Sequence, residues 1–180
     1  CAGIIASNKT FDQQTPDEIV RTMNINTIAP MFVARAVLPD MLRRNKGHLC
    51  TIASAGGMLS NPKMSVYAAS KWGVIGWSDS VRIELQEMKS KVRMTTIAPY
   101  YINTGMFEGV KSSIFPILKP EYVAKKVIRC SRESRLGSIL SDSGSLYYRP
   151  GYLTFSLERS SEFTMLWIAS PDESLNQKKF

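Results

Sequence analysis

Between Thr15 and Pro99 the spacing of apolar residues switches from helical to strand-like and back twice, and this alternation limits the fold more than any other feature. Thr15-Pro-Asp-Glu18 combines an N-cap, a proline at the first helical position and a glutamate placed to close a capping box. Apolar residues then recur at Ile19, Met23, Ile25, Ile28, Phe32, Ala36, Leu38 and Met41, up to the basic stretch and glycine at Arg43 to Gly47. The spacing predicts one long helix over about 16–44. His48 to Ala53 is a short β-prone run with Gly47 before it and Ser54-Ala-Gly-Gly57 after it, as expected of a buried parallel strand and its loop. Val66, Ala69, Val74, Trp77, Val81 and Leu85 predict a second long helix over about 65–89, and Val92 to Ala98 a second strand ending at Pro99. Helix, strand, helix, strand is the signature of an α/β domain with a parallel sheet. Pro120 to Ile128 reads as a further helix; beyond Cys130 only Gly137 to Leu140 suggests a strand.

Composition adds limits rather than a function. With 180 residues, 44% hydrophobic and 21% charged, the chain has the balance of a soluble globular domain. It opens on Cys1 rather than Met, with no basic-then-apolar leader and no long uncharged apolar run, and is expected to be an internal stretch of a longer chain. Cys1, Cys50 and Cys130 are odd in number and widely spaced, which predicts reduced, structural cysteines. The single histidine, His48, is expected to open a strand, and neither a metal cage nor a Ser-His-Asp triad can be assembled. A net charge of +8 suits an anionic partner such as a dinucleotide, an acidic membrane surface or nucleic acid. Solvated cations at Arg43, Arg44, Lys46, Lys89 and Lys91 explain it equally well, and no nucleic-acid partner is expected.

The chemistry gathers on the second helix and the loop before it. Tyr67 and Lys71 are four apart and share a helix face, so an ammonium beside the phenol would favour phenolate and lower the tyrosine pKa towards working pH. A tyrosine so placed can act as general acid or base on a hydroxyl or carbonyl. The spacing alone is common on helices and carries little weight. Ser54 follows the first strand, where a loop at the carboxyl edge of a parallel sheet faces a ligand crevice. Asn24 and Asn26 are poor helix formers, and Pro30 denies the Asn26 carbonyl its helical partner, so the first helix is expected to kink there.

Asn26, Ser54 and Tyr67-Ala-Ala-Ser-Lys71 together resemble, in order and spacing, the Asn-Ser-Tyr-Lys tetrad of the short-chain dehydrogenase/reductase family. Cys1-Ala2-Gly3 is similar to the end of that family's Asn-Asn-Ala-Gly motif, with Cys1 in place of the last asparagine. Pro99-Tyr-Tyr-Ile-Asn-Thr104 is similar to its Pro-Gly-x-x-x-Thr loop, with Tyr100 in place of the glycine. Asn103 to Gly109 and Pro116 to Val123 resemble the retinol and hydroxysteroid dehydrogenase branch. The resemblance covers about residues 1–128 and leaves 129–180 as a divergent segment.

The resemblance implies the carboxyl-terminal part of a Rossmann-like, doubly wound parallel sheet without its first βαβ units. It implies an NAD- or NADP-dependent enzyme acting on an apolar alcohol or carbonyl such as retinol or a hydroxysteroid. Tyr67 would exchange a proton, Ser54 would position the substrate oxygen, Lys71 would lower the tyrosine pKa and hold the nicotinamide ribose, and Asn26 would hold a water. Ala2, Gly3, Pro99, Ile102 and Thr104 would complete the cofactor site, with no metal. Met58, Met106, Phe107, Phe115 and Ile117 are candidates for an apolar pocket, and equally for core or interface. The glycine-rich phosphate turn and the ribose selector are absent from these residues, so NAD and NADP are not distinguished. A homodimer through the two long helices is also implied, as is an endoplasmic-reticulum or lipid-droplet address through a further N-terminal segment, the alternative being cytoplasmic. A rival reading is a catalytically incompetent dimerisation module.

Overall fold

The computed structural model describes residues 3–59, 61–106 and 117–133, together with the strands Ser138–Ser141, Gly144–Arg149, Tyr152–Arg159 and Glu162–Ile168. The expectations for Cys1, Ala2, Phe107 and Phe115 fall outside them. The order is α1 (Pro16–Met23), a π-helical turn (Asn24–Ile28), α2 (Ala29–Arg43), β1 (His48–Ile52), α3 (Ser65–Glu87), β2 (Arg93–Pro99), α4 (Pro120–Glu133) and the strands β3 (Ser138–Ser141), β4 (Gly144–Arg149), β5 (Tyr152–Arg159) and β6 (Glu162–Ile168).

The start of α1 follows its local signals. Thr15 accepts the Glu18 backbone N–H at 3.2 Å, and Glu18 returns the bond from the Thr15 N–H at 2.8 Å, the reciprocal box that satisfies two of the helix's unpaired donors. The expected kink near Asn26 takes the form of a π turn. The Ala29 N–H reaches back to the Asn24 carbonyl, a wider ring that fits the extra residue where Pro30 interrupts the ladder. Thus the single helix over 16–44 is two α segments joined by that turn.

β1, β2 and β3 are parallel, as the helix–strand alternation predicts, with His48 opposite Arg93 and Ile97 opposite Ser138. β2 has period two and divides its side chains between two helical layers. Met94 packs with Val81, Leu85 and Val92, Ala98 with Val74 and Ile75, and on the other face Ile97 meets Leu118 and Val123 of the α4 side. Burying apolar side chains of this size contributes roughly 1.5–3 kcal/mol each. α3 meets the sheet with a stripe at Val66, Tyr67, Ser70, Lys71, Val74, Ile75, Ser78, Val81 and Leu85, so Tyr67 and Lys71 lie on the buried face. His48 opens β1, and its Nε2 is 2.8 Å from Thr95 Oγ1. Beyond β3 the sheet continues as an antiparallel meander through β4, β5 and β6 that sequence periodicity did not foretell.

Two glycines of α3 and its loop differ sharply. A Cβ on Gly57 would lie 2.9 Å from the Lys71 backbone carbon and Cβ and 3.0 Å from the Trp72 nitrogen, whereas one on Gly76 meets nothing within 4 Å. Gly57→Ala is therefore expected to cost about 1–3 kcal/mol and to push the Ser54 loop off α3, while Gly76→Ala gains up to about 1 kcal/mol of helix propensity. Urea midpoints moving in opposite directions for the two variants are the expected result; matching shifts would contradict the close packing at Gly57.

Candidate active site

The carboxyl edge of the parallel strands opens into a cavity of about 630 Å³ lined by Gly3, Asn26, Ser54, Tyr67, Lys71, Pro99, Ile102 and Thr104 among others. Of the nine candidate site residues, the eight other than Ala2 thus share one cavity. Among the suggested apolar lining residues Met106 belongs to it as well. Met58 instead packs against the core cluster of Ala53, Ala55, Val74, Ile75 and Ala98, and Ile117 is exposed outside the lining, so neither is a pocket residue here.

Tyr67 and Lys71 are buried by the packing of α3 on the sheet, each 6% exposed. The Tyr67 hydroxyl hydrogen-bonds Ser54, and the Ser54 Oγ also accepts the Gly56 N–H at 3.1 Å, so the turn after β1 fixes the serine towards the phenol. Lys71 Nζ donates to the Ile52 carbonyl at 3.2 Å and lies 5.8 Å from the centroid of the Tyr67 ring. Burial raises the Tyr67 pKa above its ordinary value, the Ser54 bond opposes that rise, and the Tyr101 hydroxyl adds to it. Burial lowers the Lys71 pKa. Here the Lys71 ammonium is turned to a backbone carbonyl, and burial shifts both groups towards their neutral forms.

Asn26 is 1% exposed and uses its side chain as a clamp. Its Oδ1 accepts the Ile4 N–H at 2.8 Å, and its Nδ2 donates to the Ile4 carbonyl at 2.9 Å and to Ser70 Oγ at 3.0 Å. Ser70, wholly buried, passes the link on by donating to the Tyr67 carbonyl at 2.7 Å. Thr27 Oγ1 donates to the Ser70 carbonyl at 2.8 Å, tying the π turn to α3 at the level of Tyr67. Sequence reasoning missed Ser70 and Thr27. The only available signal was the position of Ser70 three residues after Tyr67 on the same helix face.

The loop after β2 is held by a bridge of Ile102 to Leu118, with the Asn103 N–H on the Leu118 carbonyl at 2.9 Å and the Leu118 N–H on the Tyr101 carbonyl at 2.8 Å. Tyr100 does not need the glycine it replaces, since positive φ among described non-glycine residues occurs at Asn45, Lys63 and Lys89 only. Its ring joins both flanking core clusters and stacks edge-on with Tyr101 at 4.8 Å. The single turn there that calls for glycine is at Gly105, with φ of 81°.

A family model described as short chain dehydrogenase matches residues 1–114. Retinol dehydrogenase 10-B of Danio rerio is 39% identical over 135 residues, 71% of this chain and 40% of that protein. Short-chain dehydrogenase/reductase family 16C member 6 of Bos taurus is 35% identical over 144 residues, 77% and 45% of the two lengths. The chain therefore spans less than half the length of these curated relatives. Among solved structures, serine dehydrogenase from Escherichia coli aligns with a TM-score of 0.66 at 24% identity, covering 78% of this chain and 60% of that one. A 4-hydroxyisoleucine dehydrogenase complexed with NADH aligns with a TM-score of 0.68 at 19% identity, covering 77% and 64%. At such identity the two structures speak for the fold alone, a Rossmann-like α/β arrangement.

Proposed function

Because the chain belongs to the short-chain dehydrogenase family, we propose that it interconverts an alcohol and a carbonyl with NAD or NADP, on an apolar substrate such as retinol or a hydroxysteroid. The observation that supports this most directly is the hydrogen bond between Tyr67 and Ser54 in the wall of a cavity that Lys71 also lines. The retinoid class draws on the 39% identity to a protein named as a retinol dehydrogenase. Residues 1–128 form the dehydrogenase unit in this proposal, and 129–180 a divergent segment that follows it.

The cavity suits the nicotinamide end of a dinucleotide. A Cβ on Gly3 would come within 3.6 Å of Lys71 Nζ and 3.7 Å of Asn26 Oδ1, so the glycine keeps the space before these polar groups clear. Lys71 and Tyr67 would hold the ribose, with Gly3, Pro99, Ile102 and Thr104 around the ring. When bound, the nicotinamide supplies or takes up the hydride. The protein's own residues manage one proton: Tyr67 gives it to the carbonyl oxygen or takes it from the hydroxyl, and Ser54 holds that oxygen. Asn26 fixes the strand-end backbone at Ile4 and, through Ser70, the helix that carries Tyr67.

The proposal includes a homodimer through α2 and α3, supported by exposed Phe32 and Val37 on one and Trp72 and Ile83 on the other. A non-catalytic interaction module is the rival that those same residues favour. Titrating the reduced cofactors while following energy transfer from Trp72 and Trp77, then adding an aldehyde such as retinal, separates the two. Saturable binding with cofactor oxidation is the expected result; a folded dimer that binds neither dinucleotide would leave the module.

A membrane address is part of the proposal too, and needs a surface. The helix Pro16–Arg43 is long and apolar enough to cross a bilayer by length and composition. Yet Asn26 and Thr27 within it are buried and bonded to α3 and to Ile4, so in this fold it cannot also span lipid.

A further inference from the structure

In a parallel sheet with helical crossovers, α2, α3 and α4 all run back from the carboxyl edge and end at the amino edge, opposite the candidate active site. The turns at that edge are rich in cations. Arg43 ends α2 and Arg44 and Lys46 follow it before β1, Lys89 and Lys91 lie between α3 and β2, Arg93 opens β2, and all six are exposed. Three links hold the turns together: the Lys91 N–H donates to Asn45 Oδ1 at 2.8 Å, Ser90 Oγ donates to the same oxygen at 3.4 Å, and the Arg93 N–H donates to the Gly47 carbonyl at 3.1 Å. Asp40 holds Arg43 and Arg44, and Glu87 lies at the end of α3, but none of the ion pairs among the described residues engages Lys46, Lys89 or Lys91.

The favourable interaction of cations with helix carboxyl termini accounts for Arg43 and Arg44, within or beside the last turn of α2. It does not account for Lys46, Lys91 and Arg93, which stand beyond the helices. Nor does it account for Lys89, which has φ of 53° just past the end of α3, where a helix ordinarily places glycine to avoid Cβ strain. Met88 beside it is 62% exposed, an apolar side chain at the tip of a basic turn. A duplex phosphate backbone would use the charge and leave the methionine in water, whereas a bilayer surface uses both.

We propose that the two basic turns at the amino edge, with Met88 at their tip, dock this chain on an anionic phospholipid bilayer and leave the carboxyl-edge cavity open to the aqueous phase. This deepens the membrane address proposed above and is independent of the oxidoreductase reading.

The test is flotation of the full chain with phosphatidylcholine vesicles that contain, or lack, roughly 30 mol% phosphatidylserine. The expected result is flotation only with the anionic vesicles, released by about 0.5 M salt. Combining Lys46→Glu, Lys89→Glu and Lys91→Glu is expected to weaken partitioning at least about tenfold, and Met88→Ser to weaken it severalfold. Lys89→Gly keeps folding out of the comparison, since glycine relieves the backbone: thermal stability should hold or rise while partitioning falls. If the triple variant floats as the parent does, this face is overturned and the membrane address stands on another surface. If the parent ignores anionic vesicles, both fail. Displacement from vesicles by duplex DNA at equal phosphate would assign the face to nucleic acid and overturn the lipid.

Discussion

Replacing Tyr67 by phenylalanine is expected to lower turnover by about 10²–10⁴-fold while leaving dinucleotide affinity within a few-fold of the parent, because the variant keeps the ring and removes only the group that carries the proton. Ser54 retains the Gly56 N–H and the ring stays packed on the face of α3, so the fold has no reason to fail. The pH dependence follows from the burial that raises the Tyr67 pKa. Carbonyl reduction needs the neutral phenol, so its rate should hold through neutral pH and fall only in the alkaline range, above the ordinary tyrosine value of about 10. Alcohol oxidation needs a proton acceptor, so its rate should rise with pH over that range. Both profiles should flatten in the phenylalanine variant. Turnover surviving the substitution with its pH profile intact would remove Tyr67 from the reaction and, with it, the proton route of the proposed mechanism.

What could be read from the residues alone depended on how local each cause was. The capping box at Thr15 and Glu18 is settled within one turn of chain, and it forms as spaced. The strain at Asn26 and Pro30 is local as well, but its resolution is not: a π turn rather than a plain kink results, in which Thr27 and Asn26 both reach α3 and Asn26 also reaches the Ile4 backbone. Helix and strand periods delivered β1, α3 and β2 to within a few residues, since each carries an apolar face against a neighbour. The direction of the Tyr67 pKa was out of reach. Sequence spacing puts a cation one helical turn away, but whether the ammonium faces the phenol or the Ile52 carbonyl is decided by the sheet edge beneath it. The meander of β4 to β6 was equally hidden, in a stretch rich in Ser and Arg with no clear alternation.

The largest expected effect on stability comes from Asn26→Leu, and its size can be argued from the bonds lost. Leucine has nearly the shape of asparagine and no polar atoms, so the Ile4 N–H, the Ile4 carbonyl and Ser70 Oγ each lose their partner in a site that is 1% exposed at Asn26. A buried polar group left unsatisfied costs about 1–3 kcal/mol. Ser70 still donates to the Tyr67 carbonyl, so most of the loss falls on the two Ile4 groups, and a total of roughly 3–5 kcal/mol is expected. That is a large part of the ~5–15 kcal/mol that holds a domain folded. Ser70→Ala supplies the comparison: it removes one Asn26 contact and leaves both Ile4 bonds in place, so about 1 kcal/mol is expected. Urea unfolding of both variants measures the difference directly. A midpoint for Asn26→Leu well below that of Ser70→Ala means that the asparagine chiefly ties the chain at Ile4 to the π turn. Equal midpoints would mean that the Ile4 bonds add nothing, and that the clamp acts only through Ser70 and the helix bearing Tyr67.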